Sequence, residues 1–365
     1  MVEKKSKMKK LIILIFFSTH LLSQTELIVP EFSEDPLLKF DTILTSSYLN
    51  KTTKFQNIVF NDTIIKAHID SLNSLTPIEL VYNKTIGQYI KFYLFQRPEQ
   101  VSKLLTLADY YFPIFEEYLN KNNLPLELKY LPIIESALNP NSKSPAGATG
   151  IWQFMYYTAK EYNLRINSYL DERKDIYKST QAACSYLSKS YKVFNNWELA
   201  IASYNCGRRN ITKAMRRSGD KFNYWDIRPF LPRETRNYIP SFIAALYVMN
   251  FAEYYNIKPN QDIVMNTHQI DSVFLKRPIK MSHLAKVLNI DLSLLEKLNP
   301  VYSLKLVPAL DSEQFPVILP HYEWGVFLSN EDSIYNILSH MESEERLEYP
   351  VFTDIKKTKY KVKRG

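Results

Sequence analysis

The 365-residue chain has little glycine and cysteine, with 7 Gly and 2 Cys. Because phosphate-binding loops and turn-rich β folds depend on glycine, this scarcity argues against a nucleotide-binding loop and against an all-β protein. The two cysteines and six histidines form no cluster with metal-ligand spacing, so we predict neither a metal nor another cofactor. Aromatic residues are plentiful, with 26 Tyr and 20 Phe, and the composition as a whole favours helices.

Long apolar runs are also absent, apart from one near the N-terminus. There the basic segment VEKKSKMKK precedes LIILIFF, and the small residue Ser23 follows before polar sequence begins. This order is typical of a secretory signal peptide, which we assign to residues 1–23. The apolar run is short for a bilayer span, and an uncleaved anchor is the alternative. We therefore expect an exported protein of the periplasm or cell envelope.

The formal net charge of +8 is concentrated at the two ends of the chain. Residues 1–23 carry +4 and the last ten residues, KKTKYKVKRG, carry +6, so subtracting both from +8 leaves −2 for the rest. A nearly neutral body does not indicate nucleic-acid binding.

Both cysteines, Cys184 and Cys206, lie in apolar patterns of helical spacing. This placement favours two buried free thiols that act as small apolar side chains. A disulfide between them is the alternative, since exported proteins can form one.

Apolar periodicity divides the rest of the chain into four segments. Residues 24–60 are mixed and polar, which predicts an extended leader. Over residues 61–258 apolar residues recur at three- and four-residue steps, which predicts about six to nine helices and no strands, with a break before Pro113. Residues 265–325 predict a small α+β module of strand, two short helices and strand. Residues 326–365 are interpreted as a tail.

One carboxylate, Glu135, lies within an apolar helical stripe. The steps are three, four and three residues for Leu128, Leu131, Glu135 and Leu138, which places all four on one helix face. Burial there would raise the pKa of the carboxyl group and let it act as a general acid near neutral pH. On spacing alone, a Glu at the edge of the stripe that pairs with Lys or Arg is the favoured alternative.

The loop after Glu135 ends in an aromatic residue and an amide. NPNSKSPAGATG supplies turn residues, and Trp152 and Gln153 follow in IWQF. Aromatic faces stack on sugar rings and amides bond to hydroxyl and acetamido groups, so the pair suits a saccharide. Tyr204 and Asn205 offer the same chemistry at a predicted helix end. The alternatives are core aromatics and, for Asn205, a helix C-terminal residue.

Four motifs in a fixed order, ES, GIWQF, SYN and ETRNYI, together resemble the soluble lytic transglycosylase family. The resemblance covers about residues 85–255 and is strongest to the membrane-bound lytic murein transglycosylase D group. It implies a mainly α, goose-type lysozyme-like domain that cleaves peptidoglycan.

The resemblance also implies roles for single residues. The catalytic acid/base of the family falls on Glu135, and positions that contact or border the substrate fall on Ser136, Trp152, Gln153, Tyr204, Asn205 and Tyr238. Tyr238 matches a tyrosine whose hydroxyl lies near the catalytic carboxyl group in the family. Two departures are Trp152, where many relatives carry Met, and Ser203, where the family has Ala.

The family's reaction needs one carboxylate, whereas ordinary glycosidases use two. The C6 hydroxyl of N-acetylmuramic acid attacks its own C1 and forms a 1,6-anhydro ring. The other acids near the motifs are interpreted as surface or capping residues: Asp171, Glu172, Asp175 and Glu198. The alternatives are a lysozyme-like hydrolase with a second acid or held water near Glu135, a non-catalytic peptidoglycan-binding protein, and a helical scaffold for protein partners.

The segment 265–325 is similar to LysM-type modules that bind N-acetylglucosamine chains, with LEKLNP as the matching helix end. Sugar binding and a packing role are equally supported there. The final YKVKRG resembles the first strand of a LysM repeat, and a basic tail is the alternative. We expect a monomer whose partner is the peptidoglycan glycan strand.

Overall fold

The computed structural model describes residues 60–260, 270–309 and 315–345. These residues all belong to one unit of the chain, Glu34–Gly365. The predicted signal peptide, the leader up to residue 59 and the final YKVKRG lie outside the described residues.

The first described segment, 60–260, is helical and has no named strand. Its ten α-helices are α1 (Asp62–Asn73), α2 (Lys84–Gln96), α3 (Pro98–Lys121), α4 (Leu131–Ser136), α5 (Tyr156–Glu161), α6 (Ile176–Phe194), α7 (Trp197–Cys206), α8 (Arg208–Arg217), α9 (Tyr224–Ile227) and α10 (Arg233–Phe251). Short 3₁₀ helices span Leu126–Tyr130, Arg228–Phe230 and Glu253–Tyr255. The mainly helical prediction is confirmed, and α4, α5 and α9 are too short for periodicity to count.

The long helix α3 corrects the predicted break before Pro113, because the helix continues through that proline. Pro113 removes the hydrogen bond to the carbonyl of Asp109. Both residues face solvent, where water can satisfy that carbonyl. Buried Tyr111 and Phe115 on the opposite side keep the helix packed.

Helix α10 forms the centre of this segment. From Tyr238 to Val248 every residue is buried, and the helix packs against α2, α4 and α7. Asparagine side chains cap several surrounding helices at their first turn; Asn196, for example, accepts a hydrogen bond from the backbone N–H of Leu199 at the start of α7. The start of α7 is therefore capped, and both α4 and α7 pack against the central helix α10.

The C-terminal module contains the predicted strand, two helices and strand in that order, together with two short strands that the sequence did not predict. Strand β1 (Ile270–Phe274) pairs antiparallel with β4 (Pro316–Pro320), and a second pair joins β2 (Ile279–Lys280) to β3 (Leu306–Val307). Helices α11 (Met281–Leu288) and α12 (Leu292–Leu298) lie between them in sequence.

Two further helices correct the predicted module boundary at residue 325. They are α13 (His321–Ser329) and α14 (Glu331–Glu345). Ile334 and Leu338 of α14 are buried in the same core cluster as the module's strands. The tail therefore begins later than residue 326, because α14 contributes apolar side chains to the module.

Candidate active site

A groove of about 880 Å³ holds the Glu135 side chain. Its walls come from the end of α4, the loop 142–155, the C-terminal end of α7 and the first turn of α10. The polar side chains in the wall include Gln153, Asn205 and Glu234. A groove of this size matches the sites that hold organic ligands.

Helix α4 presents Glu135 at its last turn. Pro132 occupies the first turn of this helix, where backbone N–H groups have no partner within the helix. The proline therefore removes no hydrogen bond from α4. The helix ends at Ser136 because Ala137 and Leu138 both adopt left-handed conformations, with φ of 50° and 61°. Leu138 therefore does not share a helix face with Glu135, which corrects the predicted stripe.

The Glu135 carboxyl group is held largely uncharged by its surroundings. Its pKa is raised to about 8, because burial and the nearby charge of Glu234 together outweigh the opposing hydrogen bond from the Tyr238 hydroxyl to Oε1. The Tyr238 phenol has its own pKa well above 10, chiefly through burial and the Glu135 charge. Glu135 can therefore keep its proton at neutral pH and deliver it to a ligand.

Tyr204 and Asn205, at the end of α7, both line the groove as predicted. The Tyr204 hydroxyl donates to the carbonyl of Trp152 over 2.8 Å, so it anchors the opposite loop. The Asn205 amide nitrogen donates to Glu234 Oε1 over 3.1 Å, and its oxygen accepts from Thr235 Oγ1 over 2.6 Å. The two hydrogen bonds fix the orientation of this amide in the groove.

Gln153 also lines the groove, in a strained turn. Its φ of 49° is left-handed, and its side-chain nitrogen donates to the carbonyls of Gly150 over 2.8 Å and Ser142 over 3.2 Å. Non-glycine residues in this conformation cluster at binding sites because surrounding contacts hold them there.

Trp152 and Ser136 lie away from the groove, which corrects their predicted contact with a ligand. The Trp152 side chain is 0% exposed, and its indole nitrogen donates to Thr180 Oγ1 over 2.8 Å. Ser136 is equally buried and donates from Oγ to the carbonyl of Ile151 over 2.7 Å. Both residues support the groove wall from behind, consistent with the core-aromatic alternative for Trp152.

Glu234 is a groove residue that sequence reasoning missed. It lies four residues before Tyr238 in ETRNYI, so one helical turn separates the two on the same face of α10. Its side chain is exposed and reaches the same groove as Glu135. The signal was its spacing from Tyr238, which the motif alone could have supplied.

Three of the other four acids differ from their predicted solvated setting. Asp175 caps α6 as predicted, accepting from the backbone of Lys178. The remaining three are at most 8% exposed: Asp171, Glu172 and Glu198. None of the four lines the groove, and Glu135 and Glu234 are the carboxylates that do so among the described residues.

The described residues contain no group of three or more His, Cys, Asp or Glu side chains placed to hold a metal ion. In the same part of the chain, no helix is long and apolar enough to cross a membrane. Cys184 and Cys206 are free thiols. Cys184 is buried as predicted, whereas Cys206 is half-buried and lines the groove, and burial raises their pKa values to about 12 and about 11.

Two family matches cover most of the described chain. Residues 112–226 match the Transglycosylase SLT domain. Residues 269–336 match the family described as Lytic transglycosylase MltD, LysM-like domain. Glu135, Gln153, Tyr204 and Asn205 lie inside the first match, whereas Tyr238 lies beyond its end.

Two relatives share about a third of their aligned residues with this chain. Membrane-bound lytic murein transglycosylase D of Escherichia coli strain K12 is 32% identical over 186 residues, covering 50% of this chain and 40% of the relative. Membrane-bound lytic murein transglycosylase F of Pseudoalteromonas translucida is 32% identical over 169 residues, covering 40% of this chain and 34% of the relative. The chain therefore spans less than half the length of either relative.

Among solved structures, the 70 kDa soluble lytic transglycosylase SLT70 from Escherichia coli is similar with a TM-score of 0.35 and 21% identity. That similarity covers 48% of this chain and 32% of the other. The chain is thus similar to the Transglycosylase SLT domain over residues 112–226 and to the MltD LysM-like domain over residues 269–336.

Proposed function

We propose that the protein is a peptidoglycan lytic transglycosylase in which Glu135 is the single general acid and base. The SLT domain and the named relatives support this reaction class. The observation that carries the proposal is Glu135 itself. Its pKa is raised to about 8 in an open groove, and its hydrogen-bond partner is a phenol. Such a carboxyl group is a proton donor at neutral pH.

In the first step, Glu135 donates its proton to the glycosidic oxygen between N-acetylmuramic acid and N-acetylglucosamine. The bond from C1 to that oxygen breaks, and N-acetylglucosamine leaves as an alcohol. The acetamido group of the muramic residue stabilises the positive charge that develops at C1. In the second step, the C6 hydroxyl attacks C1, and its proton returns to Glu135 as the 1,6-anhydro ring closes.

Tyr238 serves both states of the acid. Its hydroxyl bonds to Oε1 of Glu135, so Oε2 is the oxygen free to face the glycosidic bond. After proton transfer the same bond stabilises the carboxylate that remains. In the same groove, Gln153 offers its side-chain oxygen as an acceptor, because its two N–H groups bond to Ser142 and Gly150. Asn205 keeps one N–H and one oxygen lone pair for the hydroxyl and acetamido groups of the sugars.

One observation, the position of Glu234, favours the alternative that the protein is a lysozyme-like hydrolase. Hydrolysis by inversion needs a second carboxylate that activates a water, and Glu234 lines the groove that holds Glu135. However, one Glu234 oxygen already accepts a hydrogen bond from Asn205. Hydrolysis therefore remains the second candidate, and the chemistry of the product separates the two.

Mass spectrometry of products from purified sacculi tests the reaction. A transglycosylase releases muropeptides that end in 1,6-anhydro-N-acetylmuramic acid and are lighter by one water than the hydrolytic products. Release of reducing-end sugars alone would overturn the proposed mechanism in favour of hydrolysis.

Glu135→Gln tests the catalytic assignment. The amide keeps the size of the side chain but has no acidic proton, so the rate of product release should fall by about 10²–10⁴-fold. Glu198→Gln is the matched control, because Glu198 is a buried glutamate outside the groove and should remain active. A Glu135→Gln protein with full activity contradicts the assignment.

We also propose that the enzyme works in the cell envelope after export through the signal peptide at residues 1–23. The support is the N-terminal pattern together with relatives named as membrane-bound murein enzymes. Fractionation of cells that produce the full chain tests this, since a cytoplasmic precursor as the sole product would contradict it.

A further inference from the structure

Arg173 is a buried arginine whose hydrogen bonds join two parts of the protein. It is 7% exposed and forms a double ion pair with Asp171, from Nε to Oδ1 over 2.8 Å and from Nη2 to Oδ2 over 2.7 Å. Its remaining nitrogen, Nη1, donates to the carbonyls of Gly147 over 3.0 Å and Phe154 over 3.3 Å. The guanidinium group therefore links Asp171 to a second segment of backbone.

That second segment is the groove wall, residues 142–155. Ser142, Gln153 and Phe154 of this wall line the groove that holds Glu135. The wall also lies directly against the Arg173 backbone. A Cβ atom at Gly150 would come within 1.8 Å of the Arg173 carbonyl oxygen, so this position has room for glycine alone. The position of the wall thus depends on residue 173 through both backbone and side chain.

On its other side, Asp171 belongs to a short segment, 169–171, that is built into the C-terminal module. The Asp171 N–H donates to the carbonyl of Val301 over 3.0 Å, and the Ser303 N–H donates to the carbonyl of Tyr169 over 2.8 Å. Leu170 forms a β-bridge with Tyr302. The side chains of Tyr169 and Leu170 lie within the module's own apolar core.

We propose that Arg173, oriented by Asp171, is a positioning residue that couples docking of the LysM-like module to the shape of the glycan groove. The module docks on segment 169–171 and accepts a hydrogen bond from the backbone of Asp171. The Asp171 carboxylate orients the guanidinium group of Arg173, and this group donates hydrogen bonds to the wall at Gly147 and Phe154. The module is thereby part of the active unit whether or not it binds sugar. The inference rests on the proposed function, because a glycan is the ligand whose fit the wall would control.

The geometry of the guanidinium group explains why position 173 needs arginine and not lysine. A planar guanidinium group can satisfy a carboxylate with one edge and two carbonyls with the other, whereas a lysine ammonium group is a single point charge. Arg173→Lys therefore keeps the positive charge beside Asp171 but loses the geometry that reaches the wall. Displacement of a binding wall by about 1 Å is enough to cost as much as 10²-fold in rate.

The test measures kcat and KM on sacculi for full-length Arg173→Lys, together with its melting temperature and the identity of its products. We expect kcat/KM to fall about tenfold or more, with a raised KM and with anhydro products unchanged. The matched control is Arg277→Lys. Arg277 bonds within the module to Glu342, Ser339 and the Tyr335 carbonyl, and so its loss should change kcat/KM less than about twofold.

A second variant approaches the same link from the module side. Leu170→Ala loosens the docked segment and should lower kcat/KM several-fold in the wild-type background. In the Arg173→Lys background it should add little, because residues acting along one chain of contacts are non-additive. If Arg173→Lys does not fold, the kcat/KM of Leu170→Ala alone still tests the link between the docked segment and the groove.

Wild-type kcat/KM in Arg173→Lys, or fully additive losses in the double variant, would overturn the coupling. A lower melting temperature with unchanged kcat/KM would show a purely structural role and overturn it as well. Failure of the proposed function looks different, because the wild-type protein itself would then release no anhydro product.

Discussion

Glu135 and Glu172 are both withdrawn from water, yet their pKa values move in opposite directions. The pKa of Glu135 is raised to about 8, because burial outweighs the opposing hydrogen bond from Tyr238. Burial acts on Glu172 in the same sense, but hydrogen bonds from Lys178 and Arg165 outweigh it and lower the pKa. The hydrogen-bond partners therefore decide the charge of each carboxyl group. Glu135, beside a phenol, can keep its proton, whereas Glu172, beside two cations, is held as an anion.

Glu198 shows that a raised pKa is insufficient for a catalytic role. Burial raises its pKa to about 7, the charge of Glu79 adds to the effect, and a hydrogen bond from Trp225 opposes it. The residue is 1% exposed and does not line the groove. A catalytic acid needs both a raised pKa and access to the ligand, and among these three glutamates Glu135 has both.

The largest effect on stability should come from Glu172→Gln, which removes the anion from its two cationic partners. We expect a loss of about 2–3 kcal/mol in the free energy of unfolding at pH 7. Because the folded pKa of Glu172 is lowered, its stabilisation is present above the unfolded value and is lost as pH falls. Denaturant unfolding at pH 7 and pH 3 checks this, and an equal loss at both pH values contradicts the ion-pair explanation.

Tyr238→Phe removes the one hydrogen bond that favours the ionised form of Glu135. The pKa of Glu135 should rise further, so the alkaline limb of the pH–rate profile should move to higher pH. We expect kcat to fall about tenfold, because the carboxylate formed after proton transfer loses its donor. Tyr204→Phe is the control, since that hydroxyl bonds to the Trp152 carbonyl and its loss should leave the limb in place.

Glu234→Gln should move the same limb in the opposite direction. Loss of the negative charge removes a contribution that raises the pKa of Glu135, so the alkaline limb should move to lower pH. The amide oxygen can still accept from Asn205, and kcat at pH 6 should change only a few-fold. Complete loss of activity at all pH values would instead indicate a base in hydrolysis, and an unmoved limb would contradict the electrostatic role.

The sequence could predict Glu135 and the groove residues that share its motifs, because each motif places its residues on one short element. It could not predict the direction of Trp152. The left-handed turn at Gln153 places neighbouring side chains on opposite sides of the wall, and nothing in the local pattern marks that turn. Glu234 was missed although its four-residue spacing from Tyr238 was available in the motif; the packing of α10 against α4 is what brings this helix face to the groove.

The prediction of the fold was limited in the same way as the prediction of the site. Alternation and short helical runs predicted the strand, helix, helix, strand order of the module. Docking of segment 169–171 onto the module was unpredictable, because its backbone hydrogen bonds to Val301 and Ser303 and its apolar contacts join it to residues more than 120 positions away in the chain. Helix α14 was missed as well, although Ile334, Leu338 and Met341 recur at steps of four and three residues, which is typical of an amphipathic helix.

The smallest effect should come from Glu198→Gln, which changes a buried acid that we expect to take no part in the reaction. One Glu198 oxygen, Oε2, is buried without a hydrogen-bond partner among the described residues. Because the folded pKa is raised to about 7, ionisation of the unfolded chain destabilises the wild type progressively as pH rises from about 4.5 to about 7. The neutral amide escapes this cost, although its buried N–H groups need partners.

We therefore expect Glu198→Gln to raise the free energy of unfolding by at most about 1 kcal/mol at pH 8 and to give no gain at pH 4. Denaturant unfolding at the two pH values measures the difference, and activity on sacculi should stay near that of the wild type. An equal gain at both pH values would mean that the carboxyl group is not the source of the cost. A large loss of activity would mean that Glu198, despite its burial outside the groove, contributes to the reaction.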